Sequence, residues 1–361
     1  MTKSTARLNS RQEIKKLDQS NVLGSIEALP DQIQDAWDKA SQVELPSKYS
    51  RVNNIVVVGM GGSALSTHII KHLYKKELKL PLEVYNHYEL PEYVNQNTLV
   101  ILSSYSGNTE EVLNAAVEAS LKTDKILIIT AGGKLKEFAH RQNYPIYLID
   151  PVYNPSNQPR MAIGYTVFGQ LALFKTLGFI NLSTDQVKTL VQRLKDTSFK
   201  LAPEDTDNNT AKYLAYAAFQ KIIVLVSAEH LRGAIHVFNN QINENAKNLT
   251  IELVLPEMNH HYMEALPFPK QTKENVIFFF FQSELYHPRV QVRVPLTNEV
   301  AEKENYPTEI ISATAPTKLE QVFEIIQLGA YTNFYLAMLN GINPAPIPNV
   351  DYFKAQLAKL K

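Results

Sequence analysis

The sequence predicts an α/β protein built from two doubly wound, parallel-sheet domains in tandem. Three observations carry that expectation. Short β-branched runs alternate with helical patterns, first over about 150 residues and then again further along the chain. The strand-then-helix openings at Asn54 and at Gln220 are alike enough to suggest a duplicated unit. The length of 361 residues also suits two domains at roughly 150 residues each, long enough for each to bury a core.

Taken in order, the first 20 or so residues are polar and read as frayed. Ile26, Leu29, Ile33, Ala36, Trp37 and Ala40 recur at a helical period. Asn54 to Gly59 (NIVVVG) is a β-branched run ending in glycine, the pattern of a buried parallel strand. A helix is expected over Ser63 to Tyr74, and further strands over Leu82–Tyr85, Thr98–Ser103, Lys125–Thr130 and Ile146–Ile149. Glu110–Ala119, Leu135–Arg141 and Ala162–Leu177 carry helical patterns between and after them. The polar stretch Leu182 to Asn209 reads as a connection, after which the alternation resumes. Strands are expected at Gln220–Ser227, Thr250–Leu255 and Val276–Gln282, with helices at Leu231–Asn248, Leu319–Asn340 and Asp351–Leu360. The expected division is a flexible N-terminus (1–24), a first domain (25–182), a helical connection (183–209) and a second domain (210–361).

Composition narrows the function. The 36 basic and 36 acidic side chains cancel, which argues against nucleic acid or an anionic membrane as the main partner. Cysteine is absent, so no thiolate nucleophile, disulfide framework or Cys-ligated metal is available. The N-terminus lacks the apolar core of a signal peptide. The most apolar stretch, Val276–Phe281 (VIFFFF), falls far short of the roughly 20 residues that span a bilayer. A cytoplasmic location is therefore expected.

Two strand-to-helix turns stand out. Gly59-Met-Gly61-Gly62-Ser63-Ala64 packs three of the chain's 13 glycines into four positions. There the backbone can approach a ligand closely, and the following helix offers free N–H groups and its positive dipole end, so phosphate is the natural ligand. A merely structural tight turn is the plain alternative. The spacing also fits a dinucleotide fingerprint, but that fingerprint wants an acid at the tip of the second strand, and Glu83 lies inside it. The second turn, Ser104-Tyr-Ser106-Gly107-Asn-Thr109-Glu-Glu, sets three hydroxyls where a strand becomes a helix. An N-cap needs one hydroxyl; three of them beside a helix N-terminus suit phosphate oxygens. On neighbouring parallel strands the two turns would converge on one phosphate at the carboxyl edge of the sheet.

GMGGSA at 59–64 and SYSGNTEE at 104–111 resemble the sugar isomerase (SIS) domains that bind phosphosugars. The chain as a whole is similar to the bifunctional phosphoglucose/phosphomannose isomerase family, which carries two such domains in tandem. The likeness continues through Leu29-Pro30, Pro159-Arg160, Asn243-Glu-Asn-Ala-Lys247, Pro256-Glu-Met-Asn-His260, Tyr335-Leu-Ala and Asp351-Tyr-Phe-Lys354. It thus covers nearly everything after residue 25. It implies flavodoxin-like folds and an aldose–ketose isomerase of glucose 6-phosphate and mannose 6-phosphate. Such a reaction needs a ring-opening acid/base, a base that moves hydrogen between C1 and C2, and a cation for the enediolate oxygens. By resemblance Glu244 is the base, His260 opens the ring with help from Lys354, and Arg160 stabilises the enediolate. Gly61, Gly62, Ser63, Ser104, Ser106 and Thr109 would bind the phosphate. In the family the histidine reaches the neighbouring subunit's active site, which implies a homodimer with sites at the interface. The set calls for no cofactor and no metal.

Read from the residues alone, Glu244 falls on a predicted helix with Asn240 and His236 at i−4 and i−8, one polar face. His260-His261 is a poor metal pair, since neighbours on an extended chain point apart. The sequence departs from the family where Arg-Trp-Lys becomes Val237-Phe238-Asn239, where Asn becomes His261, at Gly329-Ala-Tyr-Thr-Asn333, and where Asp-Pro-Thr-Pro becomes Asn343-Pro-Ala345-Pro. These changes bear on the choice between glucose and mannose. They also leave open a non-catalytic, phosphosugar-binding regulatory protein, which Glu244, His260, Arg160 and Lys354 oppose.

Overall fold

The computed structural model of the protein describes residues 8–360. Its frame is two parallel sheets. The first has five strands, β1 (Asn54–Val58), β2 (Leu82–Tyr85), β3 (Thr98–Ser103), β4 (Ile126–Thr130) and β5 (Ile146–Leu148), in the order β2-β1-β3-β4-β5. The second has four, β6 (Ile222–Ser227), β7 (Thr250–Val254), β8 (Val276–Ser283) and β9 (Thr308–Ala313), in the order β7-β6-β8-β9. Every pairing is parallel. The second order repeats the first four places of the first, so the suspected duplication holds at the level of topology. In each sheet the chain reverses direction beside its first strand, at β1/β3 and at β6/β8, the crevice where doubly wound folds bind ligands.

Strand alternation divides the core. Val56, Val58, Val100, Leu102, Ile126 and Ile128 face an outer layer closed by the helices Glu110–Lys122 and Gly133–Gln142 through Ala115, Ala116, Leu135 and Ala139. Their neighbours Ile55, Val57, Leu99, Ile101, Leu127 and Ile129 face inward to a core continuous with the second sheet. The helices Ile163–Thr176 and Lys318–Leu339 run through that shared core and are buried almost all round, which is why each reads apolar on every face. Gly233 lets the helix Arg232–Gln241 press on the helix Gly62–Leu73: a Cβ there would sit 2.4 Å from Cα of Ile69.

Several expectations are corrected. The N-terminal stretch is not frayed where it is described. Arg11–Lys15 and Val22–Glu27 are helices, Leu8 and Ile14 join the core, and Arg11 pairs with Glu27 and Glu204. Residues 1–7 of that expectation lie outside the described residues. The helix expected from Ile26 is two, broken around Ala28, with Pro30 in the first turn of the second. The connection, expected to be helical, does contain an 18-residue helix, Thr184–Leu201, opened by a Ser183/Gln186 capping box. A helix at Pro288–Lys303 and strand β9 went unforeseen. Pro295 interrupts the helical pattern of the first, and β9 is an edge strand that is only partly shielded.

Candidate active site

The two glycine-bearing turns do meet at the carboxyl edge of the first sheet, because β1 and β3 are direct neighbours. Gly61 sits at φ +49°, a conformation that favours glycine, and the helix begins at Gly62. The Ser103 hydroxyl donates to the Ser63 carbonyl (2.9 Å), and the Tyr105 N–H donates to the Ser63 hydroxyl (2.9 Å), stitching one turn to the other. Ser104 and Thr109 share a hydrogen bond of 2.8 Å, and Ser104 also accepts from the Gly107 N–H (3.1 Å). Ser106 and Gly61 are exposed, whereas Ser63 and Ser104 are buried. Gly107, at φ +68°, lies so close to Gly132 that a Cβ would stand 1.8 Å from its carbonyl oxygen. The hydroxyl-lined turn is therefore held from below by the β4 turn.

A second structural link runs from this edge to Arg160 and Glu244. A Cβ on Gly62 would come within 3.0 Å of the Pro159 carbonyl carbon and 3.1 Å of the Arg160 nitrogen, so the helix N-terminus abuts the Arg160 backbone. Tyr105 continues the path: its hydroxyl accepts from Asn154 (3.0 Å), which also donates to the Gln158 carbonyl (3.0 Å). Gln158 Oε1 accepts from Arg160 Nη1 at 2.8 Å.

Arg160 is the hub. It is 1% exposed, and each of its five N–H donors has an acceptor in the chain. Nε donates to Asn245 Oδ1; Nη1 to Gln158 and, at 3.2 Å, to Glu244 Oε2; Nη2 to the carbonyls of Pro344 (3.0 Å) and Ala345 (2.7 Å). Glu244 itself keeps 30% of its side chain exposed. Burial pushes the Glu244 carboxyl above the ordinary glutamate range, against the opposing pull of Arg160, Lys247 and Lys354. Burial likewise lowers Arg160, with Glu244 opposing. Lys247, held by the carbonyls of Glu244 (2.8 Å) and Pro344 (2.9 Å), is lowered to about 8 by burial and by Arg160. A carboxylate poised toward neutrality among three cations can take a proton from carbon and face a developing oxyanion.

Residues 48–150 match the SIS domain family, and residues 207–357 match the family described as the bacterial phospho-glucose isomerase C-terminal SIS domain. A bifunctional phosphoglucose/phosphomannose isomerase of Caldicellulosiruptor bescii is 33% identical over 340 residues, covering 93% of this chain and 99% of the relative. The chain belongs to the bifunctional phosphoglucose/phosphomannose isomerase family. Another relative of that name, from Aquifex aeolicus, is 28% identical over 90% of this chain and 94% of its own length. Among solved structures, a hypothetical protein from Thermus thermophilus shares the fold with a TM-score of 0.73. That match covers 99% of this chain and 93% of the other at 16% identity.

Within this chain, Glu244 and Arg160 meet directly, and Lys354 lies close enough to lower the Glu244 pKa. His260 does not join them. It is exposed on the turn Glu257–His260 and has no hydrogen-bond or ion-pair partner among the described residues. The expected polar face holds for His236 and Asn240, whose side chains meet at 3.3 Å, and is corrected only for Glu244. The helix ends at Gln241 and gives way to a π-turn, Ile242–Ala246, whose wider pitch breaks the i−4 register. His236 bonds Glu252 (2.7 Å), and Asn240 bonds the His236 carbonyl (2.8 Å). Residue-by-residue reading missed Gln158, Gln241, Asn245 and Asn333, all amides within or next to the Arg160 network. A buried arginine needs acceptors for five donors, and amides clustered in Asn243–Lys247 and ahead of Arg160 were the available signal.

Proposed function

We infer that the protein is an aldose–ketose isomerase interconverting fructose 6-phosphate with glucose 6-phosphate, and with mannose 6-phosphate, through a cis-enediolate. The observation that carries this reading is Glu244. A half-desolvated carboxylate sits 3.2 Å from a buried arginine, whose backbone abuts the N-terminus of the helix carrying the phosphate turn. Ser63, Ser104, Ser106 and Thr109, with the N–H groups of Gly61 and Gly62, hold the phosphate. His260 opens the ring, assisted by Lys354. Glu244 then removes the proton from C1 of the ketose or C2 of the aldose. The C–H electron pair moves into a C1–C2 double bond, and charge develops on the carbonyl oxygen. As Glu244 becomes neutral its hold on Arg160 Nη1 weakens, freeing that N–H for the enediolate oxygen. A proton passes between the C1 and C2 oxygens, and Glu244, whose captured proton can exchange with solvent, delivers a proton to the other carbon to complete the isomerisation; delivery to the opposite face at C2 yields the mannose epimer. These side chains supply the chemistry without a metal or cofactor.

The same reading assigns the phosphate to the first unit (25–182) and Glu244 and His260 to the second (210–361). It takes the protein as a cytoplasmic homodimer in which His260 serves the neighbouring copy. His260, exposed and without a polar partner among the described residues, supports that arrangement. Glu244→Gln is the test. Turnover should fall about 10²–10⁴-fold, the share of a general base, while fructose 6-phosphate still raises the melting temperature. In wild type, solvent deuterium should enter fructose 6-phosphate at C1, and the acid limb of kcat should lie above the ordinary glutamate range because Glu244 must be ionised to act. Retained turnover in Glu244→Gln would refute the assignment. Absence of exchange in wild type would favour a regulatory phosphosugar sensor instead.

A further inference from the structure

We propose that Asn333, on the long helix Lys318–Leu339, is a positioning residue for this isomerase. By fixing the amide of Asn245 it sets the direction from which Arg160 faces Glu244. The inference rests on the reading of Glu244 as the base.

Four side chains close a ring. Arg160 Nε donates to Asn245 Oδ1, and Asn245 Nδ2 donates to Asn333 Oδ1 at 2.9 Å. Asn333 Nδ2 donates to Gln241 Oε1 at 3.2 Å, and Gln241 Nε2 donates to the Arg160 carbonyl at 2.9 Å. All four are between 0 and 1% exposed. The ring has one possible sense. A guanidinium only donates, so Asn245 must present its oxygen to Arg160 and turn its NH2 away. That NH2 finds the Asn333 oxygen and, as a weaker acceptor, the Met161 sulfur at 3.3 Å. Asn333 is locked in turn, because its own NH2 also reaches the Gly329 carbonyl one helical turn back (2.7 Å). The backbone of a central helix thus fixes Asn333, Asn333 fixes Asn245, and Asn245 fixes the edge of the guanidinium opposite Glu244. Chains of this kind polarise one another when sealed from water. Asn333 makes no hydrogen bond to Glu244, Lys247 or either glycine-bearing turn among the described residues, so its polar influence on Glu244 runs through the ring.

Asn333→Leu keeps the branched outline of the side chain and removes both the acceptor and the donor. The Asn245 amide then loses its orienting partner, while Arg160 keeps Gln158 and the two carbonyls. The expected result is a fall in kcat of about 10–100-fold, the usual cost of losing an orienting outer partner. KM for fructose 6-phosphate should stay within about threefold, and the acid limb of kcat should move to higher pH as Arg160 grips Glu244 less firmly. Asn333→Asp is the companion variant. It keeps an acceptor for Asn245 but buries a charge against Gln241 Oε1 and the Gly329 carbonyl, so it should be the less stable of the two yet the more active. Thr332→Ala, which loses only a bond to the Leu328 carbonyl (2.8 Å), serves as the control and should keep full turnover.

Activity falling in the same order as melting temperature, a rise in KM alone, or an unmoved acid limb in both Asn333 variants would overturn the proposal. Glu244→Gln, run alongside, separates the failures. If it stays active, the reading of the base is wrong. If it is inactive while Asn333→Leu behaves as wild type, only the role of Asn333 fails.

Discussion

Replacing Arg160 with lysine keeps the positive charge and removes the fork that distributes it. The guanidinium serves five acceptors: Asn245 Oδ1, Gln158 Oε1, Glu244 Oε2 and the carbonyls of Pro344 and Ala345. An ammonium group has three donors radiating from one atom, so at least two acceptors lose their partner. A lost bond to a charged donor costs about 1.5–3 kcal/mol. Lys247 still donates to the Pro344 carbonyl, so the low end applies, about 3 kcal/mol for two bonds. That corresponds to a drop of roughly 4 °C in melting temperature for a chain of this size. The catalytic loss should be larger than charge alone implies, since Glu244 loses its fixed partner, and a displacement of about 1 Å can cost about 10²-fold in rate. Differential scanning fluorimetry reads the first quantity. A coupled assay that oxidises glucose 6-phosphate as it forms reads the second. A lysine variant with wild-type melting temperature and turnover within about twofold would show that the geometry of the fork is irrelevant.

Two further outcomes follow from strain and from buried titratable groups. Gly107→Ala forces a Cβ to 1.8 Å from the Gly132 carbonyl at a φ of +68°, so the hydroxyl-bearing turn must shift. Steady-state kinetics should show KM for the hexose phosphate rising about tenfold with kcat within about threefold, and a KM within about twofold would refute the phosphate assignment. His68 and His72, on the helix packed against Arg232–Gln241, are lowered to about 4 and about 3. Burial is the main cause, joined by His236 and Arg232 respectively, then by Lys71 and, for His72, His68 and Lys75. Below the ordinary histidine pKa of about 6.5 the unfolded chain takes up protons that the folded chain refuses, so stability should decline as pH falls from about 6.5 toward 4. His72→Gln should therefore flatten the loss of melting temperature between pH 7 and pH 5, and an unchanged slope would count against it.

The α/β class, eight of the nine strands and both glycine-bearing turns were legible because buried parallel strands advertise themselves as short apolar, often β-branched runs. Strand β9 was not, for it lies at the edge, and Glu309 and Ile310 leave its pattern without a clean period. The Pro288–Lys303 helix was hidden by Pro295, which the fold tolerates and a local rule does not. At the site, Glu244 and Arg160 were picked out by motif resemblance, and their pairing is a tertiary fact that joins residues 84 positions apart. The π-turn at Ile242–Ala246 has no sequence signature, so the direction of Glu244 could not be read from helical spacing. The amides around Arg160 were visible as residues but not as a ring. Closing it needs segments near 160, 241–245 and 333 brought together, and sequence distance says nothing of that.

The segment Asn343–Ala345 is held by the cations beside it without regard to its side chains. Arg160 holds it by the carbonyls of Pro344 and Ala345, and Lys247 by those of Asn343 and Pro344. Every residue type has the same carbonyl. The Asn343 side chain accepts from the Ala345 N–H (3.1 Å), a task that aspartate performs equally well. Position 345 can thus exchange side chains while the path of the backbone stays put. The result is a segment anchored to Arg160 and Lys247 through its main chain, so that a change of side chain at 345 leaves both cations with the same acceptors.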